Sequence, residues 1–320
     1  MSVTFIGPFQ AHLDAFLQQK QAVGFPYNRG TYILQAFDRF CATHYSDADT
    51  LSRAIVRRWA ERRPGESVNT LARRFSPIRQ FAKFLNGRGI PAYVLPTGLP
   101  GRQVRYVPHI YTPEELTAFF QAADQLPYDR HSPVRHWVIP VIFRLVYCCG
   151  LRAGEAVRLT VDDVDLTTGT LHIRAAKGRK DRRVPLAPDV WDLCRTYDAQ
   201  VRRRWPDRSS FFPNPRGGHY NVDALDYAFH SVWARAGLGP VSGNPPRVHD
   251  FRHSFAVHRL NQWVRDQREV AALLPYLTMY LGHANLSETD YCLHLVPEFF
   301  PVLTAASAAR HGALIPAVIP

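Results

Sequence analysis

From Phe9 to about Leu85 apolar residues recur at helical spacing, and the pattern predicts four helices: His12 to Val23, Thr31 to His44, Leu51 to Arg62 and Val68 to Leu85. On the second, Tyr32, Phe37, Phe40 and Cys41 are expected to form the buried stripe, and Asp49 and Thr50 are candidate caps for the third. Between Asn86 and Tyr111 the periodicity breaks at Gly87, Gly89, Pro91, Pro96, Gly98, Pro100, Gly101 and Pro108, which predicts a linker. Thr112-Pro113-Glu114-Glu115 then reads as an N-cap, a first-turn proline and acids at the positive end of a helix. A helix over Val134 to Cys149 stops at Gly150, and another begins near Gly154. The period then changes: Thr170 to Ile173 and Arg182 to Leu186 read as strands joined by the glycine-bearing turn Ala176 to Asp181. Helical patterning returns over Asp189 to Arg204, over Val222 to Ala236 and, apart from a loop at Gly243 to Pro246, through the final third. The expected fold is mainly α with a small antiparallel β-sheet. Residues 1–86 form a helical domain, 87–111 a linker, and 112–320 a second domain that ends in a tail.

Charge adds a partner to this picture. Lys and Arg number 39 against 27 acids, a net charge of +12, and residues 1–100 alone hold 13 basic and 6 acidic side chains. That excess favours a polyanion. Arg53 and Arg57, Arg58 and Arg62, and Arg79 and Lys83 stand four apart, so each pair shares a helix face; a solvated face is the ordinary reading of one pair, and phosphate contact the reading of three together. Five cysteines without CxxC spacing argue against a disulfide framework or a zinc site and fit a reducing cytosol. The most apolar run, Val138 to Gly150, carries Arg144 and is too short to span a bilayer, and the N-terminus lacks a basic-then-apolar signal.

Three patches carry the candidate chemistry: Cys149-Gly150-Leu151-Arg152-Ala153-Gly154-Glu155, Arg247-Val248-His249-Asp250-Phe251-Arg252-His253-Ser254-Phe255-Ala256, and Tyr280-Leu281-Gly282-His283-Ala284-Asn285-Leu286-Ser287 followed by Tyr291. His249 and Arg252, three apart, share one helix face, while Phe251 and Phe255 fall on another. Two guanidiniums can stabilise the extra negative charge of a pentacoordinate phosphorus without a metal, because each presents a planar donor fork. Taken singly, each arginine also reads as a surface ion-pair partner, and each histidine as a structural one.

Together these patches resemble the active-site signature of the tyrosine recombinase, or phage integrase, family. The resemblance implies a helical core-binding domain followed by the family's catalytic domain, clamped on duplex DNA. It implies a site-specific recombinase that cuts and rejoins DNA through a 3′-phosphotyrosyl intermediate, with no cofactor and no metal. By position, the catalytic set is Arg152, Lys177 in the hairpin turn (Lys180 being the competing lysine), His249, Arg252 and His283, with Glu155 orienting its neighbours. The family's nucleophile follows the Leu-Gly-His histidine by nine residues. Here the ninth residue is Cys292 and the tyrosine, Tyr291, is the eighth. Either the turn Ser287 to Asp290 is one residue tighter and Tyr291 attacks, or Cys292 stands in the nucleophile's place. Arg53, Arg57, Arg58, Arg79 and Lys83 are the expected DNA-binding residues of the first domain. The implied partners are double-stranded DNA and further copies of the chain, a tetramer on two sites, with Phe299, Phe300, Val302 and Leu303 of the tail as a candidate connector. The expected location is cytoplasmic and nucleoid-associated. A type IB topoisomerase-like enzyme, or a DNA-binding member that has lost cleavage, are the alternatives.

Overall fold

The computed structural model describes residues 4–101, 106–174, 181–241, 244–283, 285 and 288–289. The chain divides into two compact units, Met1–Tyr106 and Val107–Pro320. The first is built from α1 (Gln10–Ala22), α2 (Asn28–His44), α3 (Arg53–Trp59) and α4 (Val68–Asn86). Its core gathers Leu13, Phe16, Leu34, Phe37, Cys41, Ile55, Trp59, Phe75, Ile78 and Phe81. The stripe of α2 differs from the expected one. Thr31, Leu34, Phe37, Asp38 and Cys41 face inward, and Tyr32 is 69% exposed. The buried series runs 34, 37, 41, and position 32 lies well off that line. Asp38 is buried because its carboxylate accepts the amides of Ile6 and Gly7 at 2.7 and 2.9 Å.

α3 is shorter than its periodicity suggests. Its cap is Ser52, which accepts from the Ile55 amide, rather than Asp49 or Thr50; Leu51 instead pairs with Ala92 in a parallel bridge. Beyond Trp59 the chain leaves the helix because Arg74 of α4 reaches across, donating to the carbonyls of Trp59 and Glu61 and pairing with Glu66. Arg74 thereby satisfies carbonyls at the end of α3.

The second unit opens with Thr112, whose side chain accepts from the Glu115 amide while Glu115 reaches back to Thr112, a reciprocal cap. Then come α5 (Pro113–Asp124), α6 (Arg135–Cys148) and the single turn α7 (Ala153–Ala156). A three-stranded antiparallel sheet follows, with β1 (Val164–Asp165), β2 (Thr170–Ile173) and β3 (Arg182–Pro185) in that order. Its register sets Leu171 opposite Val184 and Ile173 opposite Arg182. Four helices complete the described part: α8 (Pro188–Arg204), α9 (Val222–Arg235), α10 (Val248–Arg265) and α11 (Val270–Leu281).

α10 is central to this unit. Phe251 is fully buried among the rings of Tyr111, Phe119, Phe143 and Phe229. One turn later Phe255 enters a second cluster with Leu260, Leu274, Leu277 and Leu281. The two phenylalanines thus anchor α10 to both halves of the unit and fix the direction of its other face. No described helix is long and apolar enough to cross a membrane.

Candidate active site

Gly150 follows α6 with φ +58°, a left-handed conformation that favours glycine. A Cβ there would also meet Leu281 and Phe255 at 2.7 Å. The glycine therefore lets the ends of α6 and α11 approach, and Arg152 stands two residues later as the cap of α7.

Three arginines converge on the C-terminus of α11, a helix end whose last carbonyls lack intrahelical donors and which carries the negative pole of the helix dipole. Arg182 Nε donates to the Tyr280 carbonyl at 2.8 Å, Arg252 Nη2 to Leu281 at 2.6 Å, and Arg152 Nη2 to Gly282 at 3.0 Å. Arg252 is 3% exposed and donates through Nη1 to the Gly150 carbonyl at 2.7 Å. Arg152 and Arg252 are thus brought together by the same two helix ends, and His283 leaves the last of those carbonyls directly.

Glu155 is the anion among these cations. Its carboxylate accepts from Arg152 Nη1 at 2.8 Å, from the Arg152 amide at 3.0 Å, and from Arg182 Nη1 and Nη2 at 3.0 and 2.8 Å. Burial pushes its pKa upward. The Arg182 and Arg152 hydrogen bonds and charges outweigh that and hold it at about 2. A single buried carboxylate therefore locks two guanidiniums, leaving neither able to rotate alone.

The histidines are also shifted downward, but here burial itself drives the shift. Burial, followed by the charges of Arg252 and Arg152 among others, lowers His249 and His283 to about 3; His253, whose ring meets that of His249 edge-on at 5.1 Å, falls to about 4. All three are neutral at pH 7. His249 is held in the first turn of α10, whose start is fixed by the Arg247 amide donating to Asp250 at 3.0 Å and by the Tyr111 hydroxyl donating to the Arg247 carbonyl at 2.9 Å.

For His283 the hydroxyls settle the tautomer. Thr278 donates its one hydrogen to the Leu274 carbonyl at 2.9 Å, so Thr289 is the donor in its 2.9 Å contact with Thr278. The Thr289 oxygen, 2.7 Å from His283 Nδ1, then accepts the Nδ1 hydrogen. Neutral His283 consequently carries its proton on Nδ1 and a lone pair on Nε2.

The structure brings together Arg152, Arg252, His249 and His283. Lys177, Lys180, Tyr291 and Cys292 lie outside the described residues. In the first unit Arg53, Arg57, Arg58 and Lys83 are exposed, with Arg53 over the Tyr93 ring and Arg58 over the Tyr45 ring. Arg79 is only partly exposed and donates to the carbonyls of Leu95, Pro96 and Leu99. Arg182, Thr278 and Thr289 join the site although sequence reasoning did not single them out. Among the described residues no group of three or more His, Cys, Asp or Glu side chains is arranged to hold a metal ion.

Comparison with known proteins gives the family and the fold. Residues 110–298 match the model of the phage integrase family. The putative integrase/recombinase y4rE of Sinorhizobium fredii is 32% identical over 88% of this chain and 90% of its own length. The tyrosine recombinase XerC of Oceanobacillus iheyensis is 30% identical over 72% of each. Among solved structures, a lambda integrase dimer bound to a COC′ core site has the same fold at a TM-score of 0.63 and 13% identity, covering 88% of this chain and 94% of that one. XerH bound to its palindromic difH substrate, in a post-cleavage complex, superposes at 0.62 with 20% identity over 88% and 79%.

Proposed function

The chain belongs to the phage integrase family of tyrosine recombinases, enzymes that cleave and rejoin DNA, and from that premise we propose how this copy acts. Arg152 and Arg252 bind the non-bridging oxygens of a scissile phosphate and stabilise the charge that develops on them during attack. His249 and His283 flank that phosphate as neutral imidazoles able to accept or pass a proton. Tyr291 is the nucleophile; Cys292 fills the family's ninth position, but a soft thiol is poorly matched to phosphorus. Lys177 protonates the leaving 5′-oxygen. The phosphotyrosyl bond conserves the energy of the broken phosphodiester, so rejoining to another strand needs no nucleotide.

The observation that carries this reading is the meeting of Arg152 and Arg252, a hundred residues apart in sequence, on adjacent carbonyls immediately before His283. Exposed Arg53, Arg57, Arg58 and Lys83 add phosphate contacts from the first unit. Four protomers on two DNA sites carry out the exchange, and such a substrate places the protein at the nucleoid in the cytoplasm.

Single-turnover cleavage of a nicked suicide duplex tests the site. Arg152→Ala or Arg252→Ala should slow covalent attachment by about two to three orders of magnitude, the scale for one preorganised charge stabiliser, while duplex affinity stays near wild type. Unchanged rates would remove both arginines from the chemistry. Cys292 at the ninth position favours a second reading, a DNA-binding member that does not cut, and a wild-type protein that binds duplex without ever attaching to it would establish that one.

A further inference from the structure

Arg182 lies outside the residues placed on the phosphate, yet it touches both the carboxylate that holds Arg152 and the end of α11. It occupies the first position of β3. From there it grips both oxygens of Glu155 and donates to the Tyr280 carbonyl. Its guanidinium also lies against Gly282, where a Cβ would come 2.9 Å from Nη1. Its side chain is 9% exposed and that of Glu155 2%.

These contacts join three elements that the site needs in register. Glu155 belongs to α7, which Arg152 caps, and Tyr280 to Gly282 form the end of α11 from which His283 projects. β3 itself begins at Arg182, five residues after Lys177 in the sequence. We propose that Arg182 is a positioning residue for strand cleavage: it aligns Glu155 on Arg152 and pins the Tyr280 to Gly282 turn that presents His283.

The chemistry requires an arginine for this. One planar fork meets both carboxylate oxygens while its Nε, at an angle to the fork, meets a carbonyl. A lysine supplies the charge but makes fewer bonds, and glutamine supplies neither fork nor charge. Without Arg182, Glu155 is a buried carboxylate with half of its pairing gone, Arg152 loses a rigid partner, and the Tyr280 carbonyl loses its donor.

The inference rests on the assignment of Arg152 and His283 to the phosphate, so the test separates the two. The full-length chain is compared with Arg182→Gln, Arg182→Lys, Glu155→Gln, the Arg182→Gln/Glu155→Gln double variant and Arg152→Ala. Hydrogen exchange of peptides covering residues 277–283 reports the turn without need of activity. It should quicken in Arg182→Gln, recover in part in Arg182→Lys, and leave peptides of α8 and α9 at wild-type rates. Attachment to a nicked duplex should fall about 10- to 100-fold in Arg182→Gln, the range seen when partners that orient metal ligands are removed, with duplex affinity retained. The double variant should be no slower than Arg182→Gln alone, because the effect passes through Glu155.

Wild-type exchange at 277–283 in Arg182→Gln overturns the proposal, as does wild-type attachment by Arg182→Gln under conditions where Arg152→Ala fails. Additive losses in the double variant overturn the route through Glu155. Attachment by Arg152→Ala at the wild-type rate instead sinks the assignment of the phosphate site, and the exchange result then judges Arg182 by itself.

Discussion

His249, His253 and His283 stay neutral because their burial and the surrounding guanidiniums make a further positive charge unfavourable. This ties stability to pH with a definite sign. In the unfolded chain histidine protonates near 6.5, whereas in the fold these three resist protonation down to about 3 or 4. The unfolded state therefore binds more protons as pH falls through 6.5, and the folded state loses stability progressively until those lower values are reached. Glu155 acts in the same direction over a lower window, its contribution being present above 4.5 and lost as pH falls toward about 2. Thermal melting of the full chain should therefore show Tm falling from pH 7 to pH 4, and His249→Gln should flatten that slope; a Tm constant over this range would contradict the buried neutral histidines. Arg152, His249, Arg252 and His283, which the structure brings together, were picked out in sequence through the resemblance of their short patterns to the family's signature. Arg182 was not, since in sequence it is the first of two consecutive strand arginines, and only the placement of β3 against the end of α11 gives the two different work. Arg183 is its exposed neighbour.

The ends of elements, more than their middles, make this site. α6 stops before a left-handed glycine, α7 begins three residues after that glycine, α10 contributes its first turn, and the end of α11 offers the carbonyls of Tyr280, Leu281 and its cap Gly282. Gly150→Ala tests that arrangement, because the added methyl meets Leu281 and Phe255 at 2.7 Å in a backbone conformation L-residues avoid. A cost of about 2 to 4 kcal/mol is expected from the left-handed backbone together with overpacking, measured by urea unfolding followed through exchange of peptides within residues 135–265. A change below about 0.5 kcal/mol, the range of surface substitutions, would mean that the two helix ends have room to separate. Periodicity gave the helices of both units to within a few residues because it reports the buried face directly. It overran α3, whose end is set by Arg74 from another helix, and it placed Tyr32 inward because aromatic character alone does not fix the angle around α2. The helix containing Arg252 was visible in sequence; the convergence of α6, α10 and α11 on one point is a tertiary fact that no local pattern encodes.

On the scale of the whole molecule, we assign the holding of DNA to basic charge and its cutting to a few donors. Duplex affinity should fall steeply with salt, each phosphate contact adding about −0.9 to the log–log slope. Arg53→Glu with Arg57→Glu should weaken binding more than Arg202→Glu with Arg203→Glu, since Arg53 and Arg57 lie in the exposed basic stretch of α3 while Arg202 already pairs with Asp198 at 3.1 Å. Equal losses in a salt titration of the two double variants would move the DNA face elsewhere. Arg152, Arg252 and the flanking histidines are proposed to hold a phosphate for attack by a tyrosine. Peptide mapping of the covalent adduct trapped on a nicked suicide duplex, formed in EDTA, tests this most directly. A phosphotyrosyl adduct on Tyr291 is expected to persist in Cys292→Ala and to disappear in Tyr291→Phe; an adduct that survives Tyr291→Phe, or one that forms only when Mg²⁺ is added, would rule out this assignment of the nucleophile and the site.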